Sequence, residues 1–311
     1  MPRATINGLN QPCIILLMDG LKRIKSIHEF IEVDKDQGVQ RTYIYDSKRS
    51  HHIHSNLQEV DILESAIWGK MLFIDGTLQS TSRDEIIYHY ALVHPLMDAL
   101  DNKAEILILG GGEGATAREV LRWNGVEKVV QVDYDEELVE YMKKDKTWSK
   151  GAYNDARLTC IYEDAWKYIG ESLPFNGVIV DLTDPDIKRD NWNDLLFQIM
   201  LRVAGRRGGF VINAGLYVPW NIDTIKSLRA IVENLCSEFS GYRYHIYTAM
   251  IPSFNGEWTF IAVTRSSNFM KEPEHVMSIP GWIRRQIRTL TNVVIDTPRG
   301  LIDNPSLEKI Y

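Results

Sequence analysis

The chain has 311 residues, with 42 acidic against 35 basic side chains and a formal net charge of −7. Hydrophobic residues make up 44% and charged residues 25%, which are ordinary globular values and exclude a disordered, collagen-like or disulfide-stapled chain. The acidic balance argues against non-specific nucleic-acid binding. It would suit a cationic ligand, but mildly acidic proteins are too common for charge alone to decide.

The three cysteines, Cys13, Cys160 and Cys236, are far apart and form no CxxC motif, so neither a zinc site nor a disulfide framework is predicted. A reducing compartment fits this usage. The early apolar run at 13–18 is too short to span a bilayer and lacks the features of a secretory signal. We therefore expect a soluble, cytoplasmic protein with no membrane or nucleic-acid partner and no metal.

The first 80 residues are predicted to be an N-terminal region with a small β-domain at about 40–80. Residues 21–33 have apolar side chains at helical spacing and predict a helix. Residues 35–56 are polar and predict a solvated loop. That loop contains a histidine cluster without a suitably spaced carboxylate or cysteine, so a metal site is disfavoured. The cluster consists of His51, His52 and His54.

Alternating apolar residues at Glu59–Leu63 and Lys70–Ile74, with a turn at Asp75-Gly76, predict the strands of the β-domain. A helix is then predicted over Asp84–Leu100, in which Pro95 is a possible kink.

From Glu105 strands and helices alternate, which predicts a catalytic domain at 81–311 built on a parallel sheet with both faces covered. Two late strands, joined by only a short loop, must pair antiparallel at the sheet edge. The predicted strands are 106–109, 128–132, 158–161, 178–180, 210–212, 243–249 and 258–264. The predicted helices between them are 116–123, 136–144, 165–170, 191–203 and 222–239.

A glycine-rich turn, Gly110-Gly111-Gly112-Glu113-Gly114-Ala115, follows the first of these strands and opens a helix, as a nucleotide-type turn requires. Its spacing, G-x-G-x-G, is typical of S-adenosylmethionine enzymes rather than dinucleotide enzymes. Glu113 inside the turn would repel a pyrophosphate and favour a cationic group, unless it simply points to solvent.

Acidic residues end the next strands. Asp133 lies 23 residues after Gly110, where a carboxylate can accept both ribose hydroxyls. Asp164 can accept from an adenine amino group, or it can cap the following helix. Asp181 and Asp184 follow the fourth strand and suit a polyamine, because a carboxylate must take the proton of an amine before the amine can attack. An ordinary Asp-Pro turn is the alternative there.

In combination, these motifs resemble the polyamine aminopropyltransferases, that is, the spermidine, spermine and thermospermine synthases, over about residues 55–265. The motifs are Asp75-Gly76-Thr77-Leu78-Gln79, Arg83-Asp84-Glu85-Ile86-Ile87-Tyr88-His89, the Gly110–Gly114 turn with Arg118-Glu119-Val120-Leu121, Asp164-Ala165, Asp181–Pro185 and Ile251-Pro252-Ser253-Phe254.

The resemblance implies an α/β fold, with a seven-stranded Rossmann-like, methyltransferase-type sheet preceded by a small β-domain, in a homodimer or homotetramer. It implies transfer of an aminopropyl group from decarboxylated S-adenosylmethionine to a polyamine, releasing methylthioadenosine. No prosthetic group or metal is implied, because the sulfonium already activates the leaving group.

The resemblance also implies roles for individual residues. Asp181 would be the general base, assisted by Tyr88. The donor would be bound by Gln58, Gln79, His89, Gly110, Gly112, Glu113, Gly114, Asp133, Asp164 and Ala165. The acceptor would be bound by Asp184, Phe254, Glu257 and Trp258.

Glu113 in the turn and the Ile251–Phe254 motif followed by Trp258 favour an enzyme that converts spermidine to thermospermine or spermine. Departures from the family at Leu57, Tyr90 and 186–190 leave the acceptor open. A spermidine synthase acting on putrescine is one alternative. An amine N-methyltransferase, disfavoured by Glu113, and a non-catalytic relative are the others.

Overall fold

The structure is a computed structural model that describes residues 27–34, 38–188, 190–219, 221–267, 269–270 and 281–290. Cys13, the apolar run after it and the first part of the predicted helix at 21–33 lie outside the described residues.

The described part of the N-terminal region forms two antiparallel sheets. The first is a hairpin of β1 (Ile27–Asp34) and β2 (Val39–Asp46). The second has the order β3-β4-β5-β6, formed by His51–His54, Glu59–Ser65, Gly69–Ile74 and Thr77–Thr81. The last three of these strands confirm the predicted β-structure, including the turn at Asp75-Gly76.

Two predictions for this region are wrong. Residues 27–33 form a strand instead of a helix, because side chains alternate between faces: Glu32 is buried while Ile31 and Val33 are exposed. The histidine cluster lies on β3 rather than in a loop, and His52 contacts two carboxylates of β4, Asp61 at 2.7 Å and Glu59 at 3.0 Å.

The second part of the chain forms an eight-stranded sheet in the order β14-β12-β13-β11-β10-β7-β8-β9. Its strands are β7 (Glu105–Gly110), β8 (Lys128–Asp133), β9 (Leu158–Tyr162), β10 (Gly177–Asp181), β11 (Gly209–Leu216), β12 (Arg243–Ile251), β13 (Gly256–Thr264) and β14 (Ile287–Thr289). The five neighbouring strands β11, β10, β7, β8 and β9 are parallel to one another. The strands β13, β12 and β14 are each antiparallel to their neighbours.

The mainly parallel, Rossmann-like sheet is therefore confirmed, with one addition. Besides the seven predicted strands, the sheet contains an eighth, β14, which pairs with β12 through three residues. The two late strands pair antiparallel as expected. The edge position predicted for both is wrong, because β13 is inserted between β11 and β12 and β14 covers the outer side of β12.

Helices cover both faces of the sheet. They are α1 (Glu85–Ala99), α2 (Ala115–Leu121), α3 (Glu136–Lys144), α4 (Ala165–Glu171), α5 (Trp192–Ala204), α6 (Ile222–Glu238) and the short α7 (Gly281–Arg284). Short 3₁₀ turns lie at Ser47–Arg49, Ala152–Asn154 and Pro252–Phe254. No helix among the described residues is long and apolar enough to cross a membrane.

The strand β7 shows how the core is divided between the two faces. Leu107 and Leu109 pack with α5 and α6, whereas Ile106 and Ile108 pack with α1 and α2. Successive side chains of a strand point to opposite faces, so an uninterrupted apolar run is the pattern that a doubly covered strand requires.

Helix α1 is buried along most of its length and continues through Pro95. A proline has no N–H and leaves the carbonyl four residues earlier without its helical donor. That carbonyl belongs to Ala91, and it accepts a hydrogen bond of 2.8 Å from the buried Tyr247 hydroxyl of β12. The helix is thus tied to the sheet at the point where its own hydrogen bonding is interrupted.

Candidate active site

A cavity of about 200 Å³ lies at the carboxyl ends of β7, β8 and β10, closed from above by the N-terminal sheets. Ligands of open α/β sheets bind at this edge. Of the sixteen site residues predicted from the sequence, thirteen line the cavity. They are Gln58, Gln79, Tyr88, His89, Gly110, Gly112, Glu113, Asp133, Ala165, Asp181, Asp184, Phe254 and Trp258.

The glycine turn forms the floor of the cavity, and two of its glycines are required by close approach. A Cβ atom on Gly110, whose φ is +85°, would lie 2.2 Å from the Asp181 carbonyl oxygen. A Cβ atom on Gly112 would lie 2.8 Å from Asp133 Oδ2. The predicted Gly114 does not line the cavity: it precedes α2 and packs on Tyr153, so it shapes the turn instead.

Asp181 is held by two hydroxyl groups on opposite sides. Tyr88 Oη donates to Oδ1 at 3.0 Å, and Thr116 Oγ1 donates to Oδ2 at 2.5 Å. Removal of the carboxylate from water, with the negative Glu113 nearby, raises the pKa of Asp181 to about 6, against the effects of His89 and the two hydroxyls. A base with a pKa in this range is ionised at neutral pH and can still take up a proton.

Glu113 contacts a buried histidine. His89 Nε2 lies 2.7 Å from Glu113 Oε1, and His89 Nδ1 lies 2.9 Å from Glu85 Oε2. Ligand atoms of His89, Glu113 and Asp181 all lie within 4.8 Å of one another, a grouping that resembles a metal site. However, both ring nitrogens of His89 face carboxylate oxygens, and a ring that donates from both has no lone pair for a metal ion.

The side of the cavity near β8 carries Asp133 and Gln58. Removal from water raises the pKa of Asp133 to about 6, although its Oδ1 accepts the Asp135 backbone N–H at 3.0 Å. Gln58 Oε1 accepts from the Tyr134 hydroxyl at 3.0 Å. Gln79 lies across the cavity on β6. These polar groups can bind the hydroxyl and amino groups of a nucleoside.

The structure does not bring two predicted acids to the cavity wall. Asp164 is exposed and caps α4, accepting the Lys167 backbone N–H at 3.0 Å. The capping alternative raised for Asp164 therefore describes its position, and its neighbour Ala165 lines the cavity instead. Glu257 does not line the cavity, and its Oε2 accepts from Arg288 at 2.5 Å and from Thr248 at 3.2 Å.

An aromatic wall of Tyr88, Phe254 and Trp258 borders Asp184. Ring centroids lie 4.6 Å apart for Phe254 and Trp258, and 6.3 Å apart for Tyr88 and Phe254. Such a wall provides apolar contact for an alkyl chain and favourable faces for cations. Together with the carboxylates, it can accept a chain of methylene groups that carries several ammonium groups.

Several cavity residues were not predicted. Asn213, near the end of β11, accepts from Trp258 Nε1 at 2.6 Å and donates to Asp184 Oδ1 at 3.5 Å. The strand-end rule that located Asp181 would have found it. Glu32, Arg41 and Tyr43 also line the cavity, from the hairpin. No local signal marked them, because their strands were predicted as helix and loop.

Two family models match the chain. The spermine/spermidine synthase domain matches residues 85–289, and the spermidine synthase tetramerisation domain matches residues 34–82. Similar curated proteins include the polyamine aminopropyltransferase of Sulfolobus acidocaldarius, 36% identical, covering 69% of this chain and 70% of that protein. The polyamine aminopropyltransferase of Saccharolobus islandicus is 37% identical, covering 74% and 77%.

Among solved structures, the spermidine synthase from Thermotoga maritima has a TM-score of 0.73 at 22% identity, covering 86% of this chain and 93% of that one. A spermidine synthase in complex with the transition-state analogue AdoDATO has a TM-score of 0.72 at 22% identity, covering 86% and 94%. These two likenesses concern the fold. The family models and the relatives concern the sequence over most of the chain, and by them the chain belongs to the spermine/spermidine synthase family.

Proposed function

We propose that this enzyme transfers the aminopropyl group of decarboxylated S-adenosylmethionine to spermidine, forming thermospermine or spermine and methylthioadenosine. As a member of its family the chain is a polyamine aminopropyltransferase, with decarboxylated S-adenosylmethionine as co-substrate and no prosthetic group. The observation that carries the proposal is the pair Asp181, at the end of β10, and Asp184, in the loop that follows, both lining the cavity with the aromatic wall.

The donor is assigned to the side of the cavity that holds the glycine turn. Asp133 at the end of β8 would accept the ribose hydroxyls, and Gln58 and Gln79, which line the same cavity, would bind the donor beside it. Glu113 would bind the ammonium of the aminopropyl chain. Intact S-adenosylmethionine carries a carboxylate beside that ammonium, and Glu113 would repel it. Ala165 and the start of α4 border the adenine position, while Asp164 supports that position by capping the helix.

The reaction needs a neutral amine. Alkylammonium groups have pKa values near 10, so the acceptor arrives protonated and its nitrogen has no lone pair to attack with. Asp181 takes up a proton of the attacking nitrogen, and Asp184 binds the acceptor nearby. The nitrogen then bonds to the methylene carbon next to the sulfonium. The carbon–sulfur bond breaks, and its electron pair neutralises the sulfonium to give methylthioadenosine.

Spermidine is proposed as the acceptor because the packed rings of Phe254 and Trp258 line the cavity together with Asp184, which suits a long methylene chain. The distal ammonium is not assigned to Glu257, which does not line the cavity and whose Oε2 accepts from Arg288. Putrescine is the alternative acceptor, with spermidine as its product.

Product analysis tests the proposal. The enzyme is incubated with decarboxylated S-adenosylmethionine and with putrescine, spermidine or agmatine, and the products are separated so that spermine and thermospermine are resolved. We expect methylthioadenosine with spermidine and a tetraamine product. Turnover with putrescine but not with spermidine would support the alternative acceptor. If methylthioadenosine formed with none of the three amines, aminopropyl transfer would be refuted.

We also propose that the N-terminal region, divided from the catalytic domain at residues 80–81, joins copies of the chain into a homodimer or homotetramer. The match to a tetramerisation domain and the exposed apolar side chains of the hairpin support this assembly. The free thiols of Cys160 and Cys236 support a cytoplasmic location.

A further inference from the structure

A row of charged side chains begins at the cavity wall and continues between α1 and α2 into the protein. Its members, in order of contact, are Glu113, His89, Glu85, Arg118 and Glu119. Only the first two line the large cavity. The exposed fractions of the last three side chains are 7%, 12% and 1%, so water compensates their charges little. Their charges are compensated by one another, by His89 and by Arg122, which lies 2.7 Å from Glu119.

His89 lies between two carboxylates and is 2% exposed. A neutral imidazole carries one N–H and can donate to only one of them. The imidazolium carries two, and beside two ionised carboxylates it alone satisfies both the 2.7 Å contact with Glu113 and the 2.9 Å contact with Glu85, whose backbone carbonyl also lies 2.8 Å from Nδ1. The geometry therefore requires a charged ring.

Arg118 fixes the far side of this arrangement. Its Nη1 and Nη2 donate to the two oxygens of Glu85, each at 2.9 Å, which is the bidentate geometry of strong guanidinium–carboxylate pairs. Its Nε donates to Glu119 Oε1 at 2.6 Å. Glu119 is held in turn by His94 Nε2 at 3.0 Å. Each member is oriented by the next, so Glu85 has little freedom to move away from His89.

We propose that Glu85 and Arg118 are positioning residues for the donor. They keep His89 as an imidazolium that fixes one oxygen of Glu113, which leaves the other oxygen for the ammonium of the aminopropyl chain. This inference rests on the proposed function, because it assigns Glu113 to the donor. A neutral His89 would turn a lone pair toward one of the two carboxylates, and Glu113 would lose its orientation.

The electrostatic surroundings of His89 agree. Burial lowers its pKa, but the hydrogen bonds to Glu113 and Glu85 outweigh burial and hold the pKa well above the ordinary value. The other charged or titratable groups facing the ring are Asp181 from β10 and Tyr88 from α1. The imidazolium lowers the pKa of Asp181 against burial and Glu113, which favours the ionised base.

The test is the substitution Glu85→Gln, which keeps an acceptor oxygen for His89 but removes the charge. In the wild type we expect the ¹⁵N signals of His89, assigned with a His89→Gln variant, to stay those of an imidazolium between pH 6 and 9. In Glu85→Gln we expect them to titrate within that range. Above the titration, the KM for the donor should rise about tenfold, and below it the KM should return toward the wild-type value.

Two further variants complete the design. Arg118→Lys loses the bidentate contact and should give a smaller rise in the donor KM. Glu140→Gln removes a carboxylate from a surface ion pair with Lys143 on α3 and should change neither quantity. Urea unfolding measures any loss of stability separately, and a general loss would raise the donor KM equally at all pH values.

A His89 that stays protonated to pH 9 in Glu85→Gln, or a rise in the donor KM that does not depend on pH, would overturn the inference. The NMR titration needs no turnover. A wild-type enzyme that forms no methylthioadenosine would therefore refute the proposed function and leave the charge state of His89 to be decided on its own.

Discussion

Asp181 is the proposed general base, and the burial of its charge also costs the protein stability. Its carboxylate is removed from water, lies near the negative Glu113, and has a pKa raised to about 6. Because the base must be ionised, we expect kcat to fall about tenfold per pH unit below that value. Asp181→Asn should lower kcat by about 10²-fold or more and leave donor binding intact. Steady-state kinetics between pH 5 and 9, with calorimetry of donor binding, check both expectations.

The same carboxylate should lower the stability of the unliganded protein at neutral pH. An acid whose folded pKa lies above its unfolded value of 3.8 favours folding while it is protonated, and that contribution is lost as the pH rises through about 6. Asp181→Asn should therefore raise the free energy of unfolding by about 1 to 3 kcal/mol at pH 7.5 and by about half as much at pH 5, because the unfolded carboxyl group is already ionised at pH 5. Urea titrations at the two pH values measure the difference. An equal change at both would assign the gain to packing.

At the residue scale, the sequence located the acids that follow strands, because parallel strands all end at one edge of the sheet. Asp133 and Asp181 lie at that edge as predicted. Glu257 was misplaced because a strand residue gives no sign of the partner that takes its charge, here Arg288 on β14. The hairpin residue Glu32 was missed because its contact with the Leu78 backbone N–H, at 3.0 Å, joins positions far apart in sequence.

At the scale of elements, one aspartate ties the start of α1 to the 3₁₀ turn that carries Phe254. Asp84 is buried and accepts the Ser253 backbone N–H at 2.7 Å, the Ser253 hydroxyl at 3.0 Å and the Thr81 hydroxyl at 2.6 Å. A carboxylate with three donors holds the turn rigidly. The turn in turn sets the position of the aromatic wall.

We expect Asp84→Asn to raise the KM for the acceptor by about 5- to 50-fold with little change in the KM for the donor. The amide oxygen can keep the Ser253 N–H, but the amide NH2 would then face the two hydroxyls, and the charge-assisted contacts would be lost. Ser253→Ala is the matched control: it removes one side-chain contact and keeps the backbone contact, so its effect should be smaller. Initial rates with each substrate varied in turn give the two constants. An equal rise in both would mean that Asp84 supports the whole site rather than the turn.

The elements that the sequence predicted well are those with long apolar patterns. The strands β7, β8, β10 and β11 are buried runs and the helix over 136–144 is strongly amphipathic, so local pattern and tertiary position agree. The strand β1 was mispredicted as a helix because its apolar residues do not alternate strictly. Phe30 and Ile31 are both apolar although they lie on opposite faces, and this pattern resembles helical spacing. The three residues of β14 are too few for any periodicity.

At the scale of the whole molecule, the hairpin of β1 and β2 contributes side chains to two different surfaces. Its inner face carries Glu32 and Tyr43 to the cavity, and Tyr43 packs against Phe73 at 5.1 Å. Its outer face carries three exposed apolar side chains: Ile31, Val33 and Ile44 are 52%, 58% and 46% exposed. Register places Glu29 opposite Ile44, Ile31 opposite Thr42 and Val33 opposite Gln40, so the three apolar side chains share one face. An exposed apolar face of this kind marks an interaction surface.

We expect the double substitution Ile31→Asp and Ile44→Asp to convert the proposed oligomer to smaller species, because charges would be buried in the interface. Light scattering after size-exclusion chromatography measures the mass. Leu173→Asp, at an apolar residue 76% exposed in a loop of the catalytic domain, is the matched control and should leave the mass unchanged. Since the inner face of the same hairpin borders the acceptor space, dissociation should raise the KM for the acceptor more than that for the donor. An unchanged mass in the double variant would place the interface elsewhere.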